Sequence, residues 1–174
     1  MSRFAGLVGL WLVGCQAVPV TPAVEAPPTG RVLSFAFGTI DGAELSSATT
    51  RGRVTALLFV TTFDLASQME AKRLNVLYHS HRPRFNAGVI VLEAPEYAVL
   101  AGVFRSSLGL SFPVALADNQ TQEGQSPLGV QSVPTLLVLD RDGRELARRS
   151  GLLSEGEMDR LLSLKASGSG HSSD

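Results

Sequence analysis

The sequence predicts one α/β domain in which a mixed β-sheet is flanked by helices. Two apolar, β-rich runs, at 54–60 and 87–92, are each followed by a helical segment, the rhythm of βαβ units with a parallel sheet core. A later pair of strand-like runs, 135–139 and 144–148, is joined by Asp140-Arg141-Asp142-Gly143, a tight turn that makes this pair antiparallel. Residues 31–165 have an even globular composition and a length that a single core can serve.

Before this domain, residues 1–14 carry one positive charge, Arg3, followed by the apolar run from Phe4 to Val13. That run has the length of a signal-peptide core and is too short to cross a bilayer as a helix. It closes on Leu12-Val13-Gly14-Cys15, and Cys15 is the only cysteine among the 174 residues. The motif matches the bacterial lipobox, whose cysteine receives a diacylglyceryl group and becomes the first residue of the mature protein. An acyl anchor stabilises membrane attachment by about 0.8 kcal/mol per buried CH₂. Residues 15–30, with Pro19, Pro22, Pro27 and Pro28 among small and apolar residues, read as a semi-extended tether.

The domain opens with the alternating Ser34-Phe35-Ala36-Phe37 and the turn Asp41-Gly42 before Ala43-Glu44-Leu45, a short β-hairpin. The run 54–60 is a central strand buried on both faces. A helix over 65–78 follows, with Asp64 as its N-cap and Met69, Leu74, Leu77 and Tyr78 on its apolar face. After the second strand, a helix begins near Pro95, a residue suited to the first helical turn. A short segment at 113–116 and a polar connection through Asn119 and Gly124 lead to the antiparallel pair. Ser154-Glu155-Gly156-Glu157 forms a capping box for a last helix with Met158, Leu161 and Leu162 on one side. Residues 166–174 read as a disordered polar tail.

Four stretches resemble the TlpA/ResA family of membrane-tethered thioredoxin-like proteins, over nearly all of 34–165. Phe35 to Gly42 with Arg51-Gly52-Arg53-Val54 resembles the family's N-terminal hairpin and its "RGKV" entry into the central strand. Phe59-Val60-Thr61-Thr62-Phe63 stands where the family has Phe-Trp-Ala-Thr/Ser-Trp before Cys-x-x-Cys, and Leu108-Gly109-Leu110-Ser111-Phe112-Pro113-Val114 resembles "LGLTFPV". The most specific match is Leu128-Gly129-Val130-Gln131-Ser132-Val133-Pro134-Thr135 with 137–143, similar to "YGVxGxPTxFLIDRDG". The resemblance implies a thioredoxin-like fold and a cis Val133–Pro134 bond. Without it, Pro134 reads as a trans proline opening an edge strand.

That alignment sets Asp64-Leu65-Ala66-Ser67 on the family's Cys-x-x-Cys, so both sulfurs are absent. In redox-active members one thiolate at a helix N-terminus attacks a substrate disulfide and the second cysteine resolves it. Asp64 and Ser67 suit a helix start and supply none of that chemistry. Thr61 to Asp64 has the spacing of the peroxiredoxin Thr-x-x-Cys, but a carboxylate does not reduce a peroxide. No histidine is placed by sequence to activate Ser67, and His79 and His81, two residues apart, are read as solvated, as is His171 in the tail. Glu70 falls where the family often has a glutamate beside its cysteines; with those missing, it is read as a surface helix residue.

The expectation is therefore a lipid-anchored, redox-inactive thioredoxin-like domain that binds a protein or peptide in the bacterial cell envelope. The resemblance places its groove at Thr62, Phe63, Asp64, Ser67, Val133, Pro134 and Thr135. The alternative is a thiol-disulfide oxidoreductase or peroxiredoxin-type activity. No cofactor or metal site is expected, and a net charge of −1 gives no reason to expect nucleic acid. The membrane is reached through Cys15. Gln16 after it leans to the outer membrane under the enterobacterial sorting rule.

Overall fold

The computed structural model describes residues 24–26, 30–80 and 85–163. The segment 1–14 read as a signal peptide, Cys15, His81 and the segment 166–174 read as a tail lie outside these residues. In chain order the elements are β1 (Val24–Ala26), β2 (Ala36–Gly38), β3 (Glu44–Ser46), α1 (Ser47–Thr50), β4 (Val54–Val60), α2 (Leu65–Ser80), β5 (Phe85–Val91), a 3₁₀ turn (Pro95–Tyr97), α3 (Ala98–Leu108), β6 (Val114–Leu116), α4 (Asn119–Gln122), β7 (Thr135–Leu139), β8 (Glu145–Ser150) and α5 (Glu155–Leu162). Six strands make the main sheet in the order β1-β8-β7-β4-β5-β6, while β2 and β3 pair separately. β4, β5 and β6 run parallel; β7 is antiparallel to β4 and to β8.

Alternate side chains of a strand point to opposite faces, which is why β4 is apolar throughout. Ala56, Leu58 and Val60 meet Ala71, Leu74 and Leu77 of α2, Phe104 of α3 and Met158 of α5 in one core layer. Leu57 and Phe59 meet Phe35, Phe37 and Leu45 of the hairpin and Leu128 and Val130 of the loop before β7 in the other. The hairpin sits so close that a Cβ on Gly88 of β5 would lie 2.4 Å from Leu45 Cδ2.

Several elements depart from the sequence expectation. The apolar face of α2 is Ala71, Leu74 and Leu77, whereas Met69 is exposed. α1 and α4 are four-residue helices, too short for any periodic pattern to register. The capping box at α5 is half formed: Ser154 Oγ accepts from the Glu157 N–H, while the Glu157 carboxylate lies 3.8 Å from Arg149. Within 15–30, read as a tether, Val24–Ala26 pairs antiparallel with Arg148–Ser150 as an edge strand. A three-residue edge strand beside Pro22 and Pro27 carries no alternation to read.

Candidate functional site

At the carboxyl end of β4 the chain turns through Thr61, Thr62 and Phe63 into α2. Asp64 caps the helix: its Oδ2 accepts from the Ser67 N–H at 2.8 Å and its Oδ1 from the Ala66 N–H at 3.3 Å. Ser67 Oγ donates to Asp64 Oδ2 at 2.8 Å and accepts from the Thr61 N–H at 3.3 Å, and Ser67 is fully buried. The two side chains in the Cys-x-x-Cys positions are thus bound to each other and to the end of β4. Burial would raise the Asp64 pKa, but the hydrogen bonds from Ser67 Oγ, Ser67 N–H and Ala66 N–H together hold it below its ordinary value. Asp64→Ala is expected to cost about 1–2 kcal/mol, because the helix loses its cap and Ser67 Oγ a partner. Urea-unfolding midpoints of wild type and variant check this.

Thr62 is buried, and both its N–H and its hydroxyl donate to Glu93 Oε1 beyond β5, the hydroxyl at 2.7 Å. Sequence reasoning missed Glu93, which lies in no stretch that carries the resemblance. Phe63 and Leu65, either side of Asp64, are 74% and 69% exposed. Across the sheet end stands the loop before β7, where the Val133–Pro134 bond is cis. Thr135 Oγ1 is 2.7 Å from both Ser132 O and Ser150 Oγ, which ties that loop to β8.

The structure divides the expected groove residues between three surroundings. Val133 lines a groove of about 360 Å³ with Thr61, Leu92, Thr121, Gln131 and Ser132. Thr62 and Phe63 line a hollow of about 150 Å³ on the other side, against Leu100, Val103 and Phe104 of α3. Ser67, Pro134 and Thr135 are buried, and Asp64, with part of its surface open, faces the cap. Among the described residues, no cluster of His, Cys, Asp or Glu could hold a metal ion. His79 is exposed, with Nε2 2.7 Å from Ser111 Oγ.

Glu70 corrects the reading of a surface glutamate. It is 1% exposed, and its Oε1 accepts the Leu153 N–H at 2.8 Å and the Arg73 guanidinium, while Oε2 is buried without a hydrogen-bond partner. It joins α2 to the turn between β8 and α5. Burial pushes its pKa up against the opposing Leu153 and Arg73 interactions. The position was legible: stepping back from Leu74 and Leu77 along the helical period lands on Glu70 as well as Ala71.

A helix started at the end of the central strand and faced by a cis-proline loop is the arrangement that the resemblance implied, and solved structures share the overall fold across the domain. One is a Chlorobium tepidum protein described as a putative thiol:disulfide interchange protein DsbE, 20% identical, with 79% of this chain and 96% of that one covered at a TM-score of 0.67. The fold is thioredoxin-like. Among other neighbours of this thioredoxin-like chain are a secreted Mycobacterium tuberculosis disulfide oxidoreductase homologous to E. coli DsbE (19% identity, 74% and 93% covered, TM-score 0.61) and StoA from Bacillus subtilis (19%, 76% and 98%, 0.60). No family model and no curated protein matches the sequence. The thioredoxin-like domain of this chain therefore has the fold of disulfide oxidoreductases with Asp64 and Ser67 at the helix start where the resemblance places their cysteines. Among the described residues no helix is long and apolar enough to cross a membrane.

Proposed function

We propose that this protein is a lipid-anchored, redox-inactive thioredoxin-like domain that binds an extended segment of a protein or peptide in the cell envelope. The observation that carries this reading is the groove beside Val133. It is open and lined by polar and apolar groups, and the Val133 backbone makes no hydrogen bond to another described residue. Such a backbone can pair with an added strand, the recognition mode in which main-chain hydrogen bonds supply affinity and flanking pockets supply selectivity. Loss of the thiols leaves this surface intact, since Asp64 and Ser67 maintain the helix start that stands opposite.

The oxidoreductase reading is supported by the neighbours' descriptions, but thiol-disulfide exchange needs a thiolate, and none is supplied at 64–67. Two measurements separate the readings. A photo-crosslinking residue at Gln131 in the native envelope is expected to capture a polypeptide that the same residue at Asp142, at the far end of the sheet, does not; equal capture at both, or none, overturns the binding reading. Insulin reduction and peroxide consumption by the full chain are expected to stay at buffer level, and turnover in either assay restores the enzymatic reading.

A further inference from the structure

The pairing of β1 fixes the end of the sheet at which the chain from Cys15 enters. Val24 stands opposite Ser150, Ser150 opposite Thr135, and Thr135 opposite Phe59 near the end of β4. The chain that leads from Cys15 therefore joins the sheet at the same end as the cis-proline loop and the start of α2. Val24 is nine residues from Cys15, so that length of chain spans at most roughly 32 Å even when fully extended. Without β1 the first described residue would be Gly30, and the permitted reach would be over half as long again.

That same end is where exposed apolar side chains gather. Phe63 and Leu65 follow β4, Tyr97 and Val99 follow β5, which is parallel to β4, and Leu152 follows β8; each is 44–77% exposed. Toward the opposite end the exposed large apolar residues among the described ones are fewer, Val32 beside Arg144 and Val76 in the last turns of α2, while Met69 and Val103 lie along the helix flanks between. An apolar patch of this kind marks a surface made for contact. From the tether's exit and short reach together with this patch, we infer that the site end of the domain rests on the lipid bilayer, with Phe63, Leu65 and Val99 entering the headgroup region. The inference rests on acylation of Cys15, part of the proposed function. The anchor holds the patch at high effective concentration near lipid, so even a contact too weak to bind a free domain persists. The face is not polybasic: Asp64 and the exposed Glu96 lie on it, so the contact is apolar insertion and is insensitive to salt. The groove beside Val133 would then meet polypeptides at the membrane surface.

The test uses the full acylated chain in phosphatidylethanolamine–phosphatidylglycerol vesicles. With Cys15 occupied, single cysteines placed by Leu65→Cys, Val99→Cys or Asp142→Cys are the one free thiol in each variant and take an environment-sensitive fluorophore. Spin-labelled lipid is expected to quench the label at 65 and 99 several-fold more than at 142, and molar salt is expected to leave that difference unchanged. Equal quenching at all three positions, with Cys15 acylated by mass spectrometry, overturns the orientation and leaves the anchor standing. An unmodified Cys15 overturns the anchor itself. A blue shift at 65 that needs no vesicles and grows with protein concentration assigns the patch to a second copy of the chain and also overturns the inference.

Discussion

Replacing Asp64 and Ser67 together by cysteine is expected to give this chain the ability to reduce insulin disulfides, from buffer level to clearly measurable turnover with dithiothreitol as reductant. The two side chains already converge at the start of α2, with the Asp64 carboxylate 2.8 Å from Ser67 Oγ. A thiol at position 64 would sit at the positive end of the helix, where its thiolate is stabilised and its pKa lowered. A second thiol at 67 would resolve the mixed disulfide; two thiols are oxidised to one disulfide as one insulin disulfide is reduced. The cost is the cap, about 1–2 kcal/mol. Oxidised double variant should weigh two hydrogens less than its reduced form, and either single replacement should remain inactive. A folded double variant that forms no internal disulfide and reduces nothing would show that the helix start here lacks the geometry of an exchange site.

Glu70→Ala is expected to lower stability by about 2–4 kcal/mol, the largest loss we expect from a single replacement of a polar residue in this chain. The Leu153 N–H, now bonded to Glu70 at 2.8 Å, would be left without its acceptor, and a cavity would open between α2 and the turn before α5. Glu70→Gln retains an acceptor for Leu153 and should cost less than about 1 kcal/mol near neutral pH, because it also removes a charge that is buried. The two variants differ further in pH dependence. In the unfolded chain Glu70 titrates near its ordinary 4.5, and in the folded protein burial raises that value. Between the two, the folded state binds more protons, so stability contributed by the neutral carboxyl is present below 4.5 and is lost as pH rises through the folded pKa. Asp64 acts in the opposite sense at lower pH: its folded pKa is depressed below 3.8, and its contribution is lost as pH falls through that depressed value. Urea midpoints measured upward from pH 4.5 should decline for wild type relative to Glu70→Gln. Parallel curves would mean that Glu70 is charged at no extra cost, contrary to its surroundings.

The main strands were legible because their signals are local. β4 and β7 occupy the spans read from sequence, and β5 differs from its expected span by two residues at its start and one at its end. Their apolar runs are long, β-branched and bounded by turn residues, and a central strand needs nothing more to declare itself. The helix start at Asp64 was legible for the same reason, since a cap is a relation between residues two and three apart. The site was less so. Thr62 and Phe63 follow one another in sequence yet differ in exposure and partners, one buried on Glu93 and the other open, because the turn after β4 rotates successive side chains apart.

From the amino-acid order alone came the α/β class, the main strands and helices and the absence of thiols at 64–67, since each depends on residue identity and short-range spacing. Tertiary structure decided the rest. Glu70 became an interior tie because α5 and its preceding turn, some eighty residues away in the chain, close over α2. The segment at 24–26 became a strand because β8 offered an open edge, and that pairing set the end of the sheet at which the preceding chain enters. Burial and edge pairing are contacts between distant parts of the chain, and no pattern within either part contains them.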